Sequence, residues 1–243
     1  MDPLEQFQIR PLLSIIIGGY DVSFTNSSLW MAIAVLCAYL LVMAGARQQA
    51  MVPGRLQSVV ELLYEFVANV LRDAAGKEGM RYFPIIFTLF TFILLGNLLG
   101  LIPGSFTFTS HIIVNFAMAL CVIIAVTVLG FMIHGLHFLT FFIPHGAPKY
   151  MIPILVPIEV LSYCVRPVSL SVRLFVNMMA GHAMLDVFAA FVIGLGGYYL
   201  IPGIAPLALD VALYGFEFAV CFLQAYVFTV LTCLYLNDAI HMH

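Results

Sequence analysis

The sequence predicts an all-α polytopic membrane protein. About five membrane-embedded helices are expected, with one interfacial amphipathic helix, and the last two membrane helices form a long, strongly tilted hairpin. Three observations carry this. Hydrophobic residues make up 63% of the chain and charged residues only 9%, which excludes a soluble globular fold. The 243 residues suffice for about five or six helices and their loops at roughly 20 residues per span. Finally, two apolar stretches, about 150–194 and 205–237, each exceed the length a perpendicular span requires.

The elements follow in order within a single membrane domain, 1–243. Residues 1–28 read as a short ordered or surface-lying tail, acidic and without the basic start of a signal peptide. Asn26, Ser27 and Ser28 offer an N-cap to a first span over 29–46, which Arg47 closes. Residues 55–77 form the amphipathic helix: Gln57, Glu61, Glu65, Asn69 and Arg72 share one face, and Leu56, Val59, Val60, Leu63, Phe66, Val67 and Val70 cover the other. A helical hairpin spans 82–133, its polar turn being Ser105 to His111. The segment 134–149 is too short and interrupted to cross and is expected at the surface. Residues 150–237 hold the tilted helices, with Pro153, Pro157 and Pro167 interrupting the first and a turn over 194–206.

Arg47, Arg55, Arg72, Lys77, Arg81 and Lys149 all fall on one side of this layout, whereas the other side carries only Arg10. The positive-inside rule therefore puts the C-terminus on the cytoplasmic or matrix side and the N-terminus opposite. A net charge of −3 gives no sign of a nucleic-acid partner. Cys37, Cys121, Cys164, Cys221 and Cys233 are scattered without a CxxC pair, which supports neither a disulfide framework nor a thiolate metal site.

Polar residues inside the last two helices carry the functional signal. Arg173 stands between apolar runs, cannot lose its proton, and costs roughly 3 kcal/mol near the bilayer centre. Glu159, Arg166 and Arg173 recur every seven residues and share a broad face with Asn177. His182 lies nine residues past Arg173, about 180° around the helix, and Asp186 shares its face one turn on. Glu217 and Gln224 are seven apart on the second helix. Carboxylates and imidazole relay protons, whereas a fixed cation repels them. Such a set suits two half-paths separated by an electrostatic gate.

Each residue also has a plainer role open to it. Glu159 can be a cap, Arg166 an interfacial charge, and Asp210 and His111 solvated turn residues; Asn177 and Gln224 can be interhelical glue. His134, His137 and His145 form a loop cluster without metal-site spacing. His182, Asp186 and Glu217 form a possible Zn²⁺ trio, one imidazole and two carboxylates. A haem-binding carrier would need paired intramembrane histidines, and a passive scaffold leaves Arg173, His182 and Glu217 unexplained.

Residues 167–182, PVSLSVRLFVNMMAGH, closely resemble the signature of the a subunit (subunit 6) of F-type ATP synthase. The segments PIEVLSYCVRP and GNLLGLIP and the Glu217/Gln224 pair extend the resemblance over nearly the whole chain. The resemblance implies a non-catalytic, proton-translocating stator subunit without cofactors. Its partners would be a c-ring, against which the tilted hairpin packs, the peripheral stalk and other membrane-sector subunits, and lipids. Arg173 would face the ring carboxylates, Asn177 and Gln224 would be its polar neighbours, and His182 and Glu217 would line proton entry. The His/Glu arrangement resembles mitochondrial and alphaproteobacterial members. The expected location is the mitochondrial inner membrane, with a bacterial plasma membrane as the alternative.

Overall fold

Five helical runs in the computed structural model are long and apolar enough to cross a bilayer: Asn26–Ala46, Arg55–Gly100, Ile112–His134, Ile152–Gly194 and Pro206–Ile240. The structure describes residues 9–13, 16–17, 20–21, 23–47, 54–102, 104–142, 150–196 and 200–241. Its surface is inverted relative to a soluble protein. Ile113 and Met132 are each 80% exposed while Asn97, Thr109 and Asn115 are fully buried, as expected where the surroundings are hydrocarbon.

The chain divides into two compact units. The first comprises Met1–Met43, Thr91–His111 and Leu174–Ala225. Its tail carries strands that the all-α expectation did not include. Strand β1 (Pro11–Leu13) pairs antiparallel with β4 (Phe24–Thr25), and β2 (Ile16–Ile17) pairs with β3 (Tyr20–Asp21). The Asn26 side-chain oxygen accepts from the Arg10 and Ser27 amides, tying the ribbon to helix α1 (Asn26–Arg47). The N-cap is Thr25, one residue ahead of the expected trio, because its hydroxyl accepts from the Ser28 amide three residues on.

Helix α3 (Phe83–Gly100) delivers its C-terminal turns to this unit. The following segment is no solvated turn. Ser105 through Ser110 are all buried, folded back on α3 by hydroxyl bonds from Ser105 to the Leu99 and Gly100 carbonyls and from Thr107 to Gly100. The absence of a side chain at Gly100 makes the fold-back possible, because a Cβ there would approach Thr107 to 2.7 Å.

The second unit comprises Ala44–Phe90, Ile112–Arg173 and Tyr226–His243. Helix α2 (Arg55–Gly79) kinks at Gly76, whose φ of 65° is non-helical. Its polar face carries the Gln57–Glu61 bond, and its inner face buries Val67, Ala68, Leu71 and Ala75. Phe66 stacks near Phe90 and Tyr226, whereas Leu56 and Val59 remain exposed and suit a lipid interface. Helix α4 (Ile112–His134) continues into a 3₁₀ segment, Gly135–Phe142. Phe138 of that segment packs with Val126 and Ala239. His134 reaches the Ile240 carbonyl at 3.1 Å and so serves a helix end; His137 is exposed, and His145 lies outside the described residues.

Helix α5 (Ile152–Gly196) runs 45 residues, about 67 Å at 1.5 Å per residue, so a hydrocarbon core of about 30 Å requires a steep tilt. Pro157 and Pro167 lie inside it and do not end it, a correction to the expected interruption. Proline removes single ladder bonds, and intramembrane helices tolerate this where hydroxyls and neighbours meet the freed carbonyls. Helix α6 (Leu200–Ile240) begins earlier than expected, so the connection from Gly196 is shorter than the thirteen-residue turn over 194–206.

Arg166 is a structural cation. It bonds Asp238 at 3.0 Å and lies over the rings of Tyr163 and Tyr235, at 5.3 and 5.0 Å from their centroids. Tyr163 in turn bonds Thr127 at 2.6 Å. The pair is partly exposed, so Asp238→Ala should lower stability by only about 1 kcal/mol, read as a thermal midpoint a few degrees lower in detergent, with Arg166→Met costing more through loss of the ring contacts.

Candidate functional site

Within the first unit, α5 and α6 run antiparallel, and their register is set by small and sulfur-bearing residues. His182 faces Glu217, and one turn deeper Met178 meets Cys221, whose thiol also reaches the Asn97 carbonyl. Asn97 returns a 3.4 Å bond to the Cys221 carbonyl, and Tyr214 bonds the Leu101 carbonyl at 2.9 Å. Three helix segments are thus locked by polar contacts around one buried cluster.

At its centre the His182 Nε2 lies 3.9 Å from Glu217 Oε1 and 3.2 Å from the Thr107 hydroxyl. His182 is 8% exposed and Glu217 5%, and both Glu217 oxygens are buried without a hydrogen-bond partner among the described residues. An orphaned buried carboxylate is costly to the fold. Gly181 makes it possible, since a Cβ there would strike the Glu217 carboxylate. Asp186, half-buried one turn beyond His182, stands within electrostatic reach of Glu217.

Of the other expected residues, Asn177 and Gln224 belong to this first unit and are half-buried, the Asn177 amide nitrogen having no partner. Asp210 and His111 are not simply solvated, because each has a buried polar atom without a hydrogen-bond partner among the described residues. Arg173, Arg166 and Glu159 belong to the second unit. Glu159 is half-buried; Arg173 is exposed and makes no ion pair or hydrogen bond among the described residues. The fixed cation is therefore outward and His182 inward, nine residues apart on one helix.

The expected zinc trio is not assembled. His182 and Glu217 approach, but the described residues hold no group of three His, Cys, Asp or Glu placed to grip a metal. Sequence reasoning missed Thr107, Gly181 and Cys221. The FTFTSH segment gives no sign that it turns inward, and the Gly181–Glu217 contact joins positions 36 apart with no local pattern.

His111 stacks on Phe106 with ring centroids 5.1 Å apart, and burial holds its imidazole below the ordinary value of 6.5. Its neutral form is the one the fold favours. The associated stability is present above the ordinary value and lost as pH falls through the lowered one. Amide exchange over 105–111, corrected for intrinsic rates, should therefore accelerate in acid, and His111→Phe should remove that acceleration.

The model of the ATP synthase A chain family matches residues 27–237. ATP synthase subunit a of Rhodospirillum rubrum is 56% identical over 241 residues, covering 99% of each chain. Subunit a of Paramagnetospirillum magneticum is 54% identical over 245 residues, covering 100% of this chain and 99% of its own. That of Mesorhizobium japonicum is 56% identical over 244 residues, covering 99% and 97%. With a helical membrane fold and a family match over most of its length, the chain belongs to the ATP synthase A chain family, the proton-translocating subunits of the membrane sector.

Proposed function

We propose that this subunit carries protons along two offset half-paths to and from carboxylates on a c-ring, and that Arg173 keeps the paths apart. The observation that carries the reading is the division of labour on α5: an exposed Arg173 with no ion pair or hydrogen bond among the described residues, and a buried His182 beside a Glu217 whose oxygens have no hydrogen-bond partner among them. A permanent charge turned outward in an apolar helix needs a counter-charge from outside its own chain, and a ring carboxylate supplies one. The buried atoms left unpaired on Asn97, Asn177, Asp210, His111 and Glu217 fall in one unit and suit a hydrated path, since buried polar groups require partners or water.

In this reading a proton enters from the N-terminal side past His111, reaches His182 and Glu217, and neutralises a ring carboxylate, which then moves into lipid. After nearly a full turn the acid meets the second path, beside Glu159, loses its proton and passes Arg173 as an anion. Asn177 and Gln224 hold the polar corridor, and Asp186 assists proton capture. A membrane potential supplies roughly 2.3 kcal/mol per charge per 100 mV to this cycle. The subunit performs no bond chemistry of its own. The alphaproteobacterial relatives favour a bacterial plasma membrane over the mitochondrial inner membrane, and the lysine and arginine distribution favours a C-terminus on the cytoplasmic side. Peripheral-stalk and other membrane-sector subunits and lipids complete its partners.

Arg173→Ala and Arg173→Lys should both abolish coupled ATP synthesis in assembled complexes, Lys because it can lose its proton and lacks the planar fork. ATP-driven pumping at the normal rate by Arg173→Lys would overturn the gate. Glu217→Gln should assemble but conduct poorly. Gly181→Ala should slow conduction by displacing the carboxylate, and full proton flux in sealed vesicles from Glu217→Gln would remove Glu217 from the obligatory path.

A further inference from the structure

The His182 ring presents one nitrogen to two acceptors, and only one of the two bonds is made. Thr107 Oγ1 lies 3.2 Å from Nε2, whereas Glu217 Oε1 lies 3.9 Å from the same atom, beyond hydrogen-bond range. The Thr107 hydroxyl has a single proton, and it also sits 3.2 Å from the Gly100 carbonyl, which can only accept. When the hydroxyl proton goes to Gly100, the hydroxyl oxygen accepts from His182, and the neutral ring then carries its proton on Nε2.

We propose that Thr107 is a positioning residue that seats the His182 Nε2 proton between transfers and sets the direction in which His182 passes protons to Glu217. This rests on the reading that His182 and Glu217 lie on the proton path. The step balances as follows. His182, resting as the Nε2–H tautomer, takes a proton on Nδ1 and becomes imidazolium. Its Nε2–H then swings from Thr107 to Glu217; the N–H bond breaks and an O–H bond forms on the carboxylate. The ring is left as the Nδ1–H tautomer, whose bare Nε2 finds no donor in a Thr107 hydroxyl already bound to Gly100. Nε2 then takes a proton from water of the path as Nδ1 gives its own back to that water, which restores Nε2–H against Thr107 and readies the ring for another proton.

The surroundings support a built device rather than a chance contact. Thr107 is 5% exposed within a fully buried run, and its loop is fixed by the Ser105 and Ser110 hydroxyl bonds to backbone carbonyls. Among the described residues, Glu217 on α6 lies beside His182, and Cys221 on α6 and Asp186 on α5 stand within electrostatic reach of Glu217. None of these supplies the hydroxyl geometry that selects a tautomer.

The test measures proton flux per assembled complex in sealed vesicles for Thr107→Val, Thr107→Ser, His182→Ala and the Thr107→Val/His182→Ala double variant. Thr107→Val keeps the shape and loses the hydroxyl, so flux should fall roughly three- to tenfold, the range for one lost hydrogen bond. Thr107→Ser should restore it, and the double variant should be no slower than His182→Ala alone. Should Thr107→Val not assemble, Thr107→Ala takes its place with the same expectation. A valine variant at full rate, a serine variant as slow as valine, or a double variant slower than His182→Ala would each overturn the proposal. Full flux in His182→Ala and Glu217→Gln together would instead overturn the path on which it rests.

Discussion

Nine residues separate Arg173 from His182 on a helix that stays unbroken through two prolines, and at 3.6 residues per turn that is two and a half turns. The rest of the structure depends on that half-turn. It places a charge that cannot be discharged on an exposed face and a group that changes charge readily in a buried one. Were α5 to break at Pro167, as prolines break soluble helices, the angular relation between Glu159, Arg166 and Arg173 would be lost. The intramembrane setting protects the helix, because no water competes for its remaining hydrogen bonds.

Small and soft residues make the buried side workable. Gly181 leaves room for a carboxylate, Gly100 admits Thr107, and the Met178–Cys221 contact fills the next layer with polarizable sulfur. The contrast with Arg166 is instructive. Both arginines sit on α5 seven residues apart, yet Arg166 is tied to Asp238 and two tyrosine rings while Arg173 makes no ion pair or hydrogen bond among the described residues. A cation held by its own chain stabilises the fold, and one left untied is available to another chain.

Much of this was legible in the sequence. Hydropathy and length gave the spans, periodicity gave the amphipathic α2, and a nine-residue offset separated Arg173 from His182. The missing parts depended on contacts that leave no local trace. The run Ser105 to His111 has the composition of a wet turn, and only its backbone-directed hydroxyls reveal that it folds inward. The tail strands were invisible for a similar reason: two-residue ladders lack the alternation that announces a strand. The zinc trio illustrates the opposite error, since a favourable i, i+4 spacing on one helix does not make three side chains converge on one point.

The inward-folded loop has a consequence for how the protein lives with its bilayer. Its hydroxyls are anchored to the carbonyls of α3 and not to lipid headgroups, so the polar surroundings of His182 travel with the protein. A thicker or thinner membrane can change the tilt of the long helices at modest cost. It need not change the polar contact that Thr107 makes with His182, which the chain itself supplies.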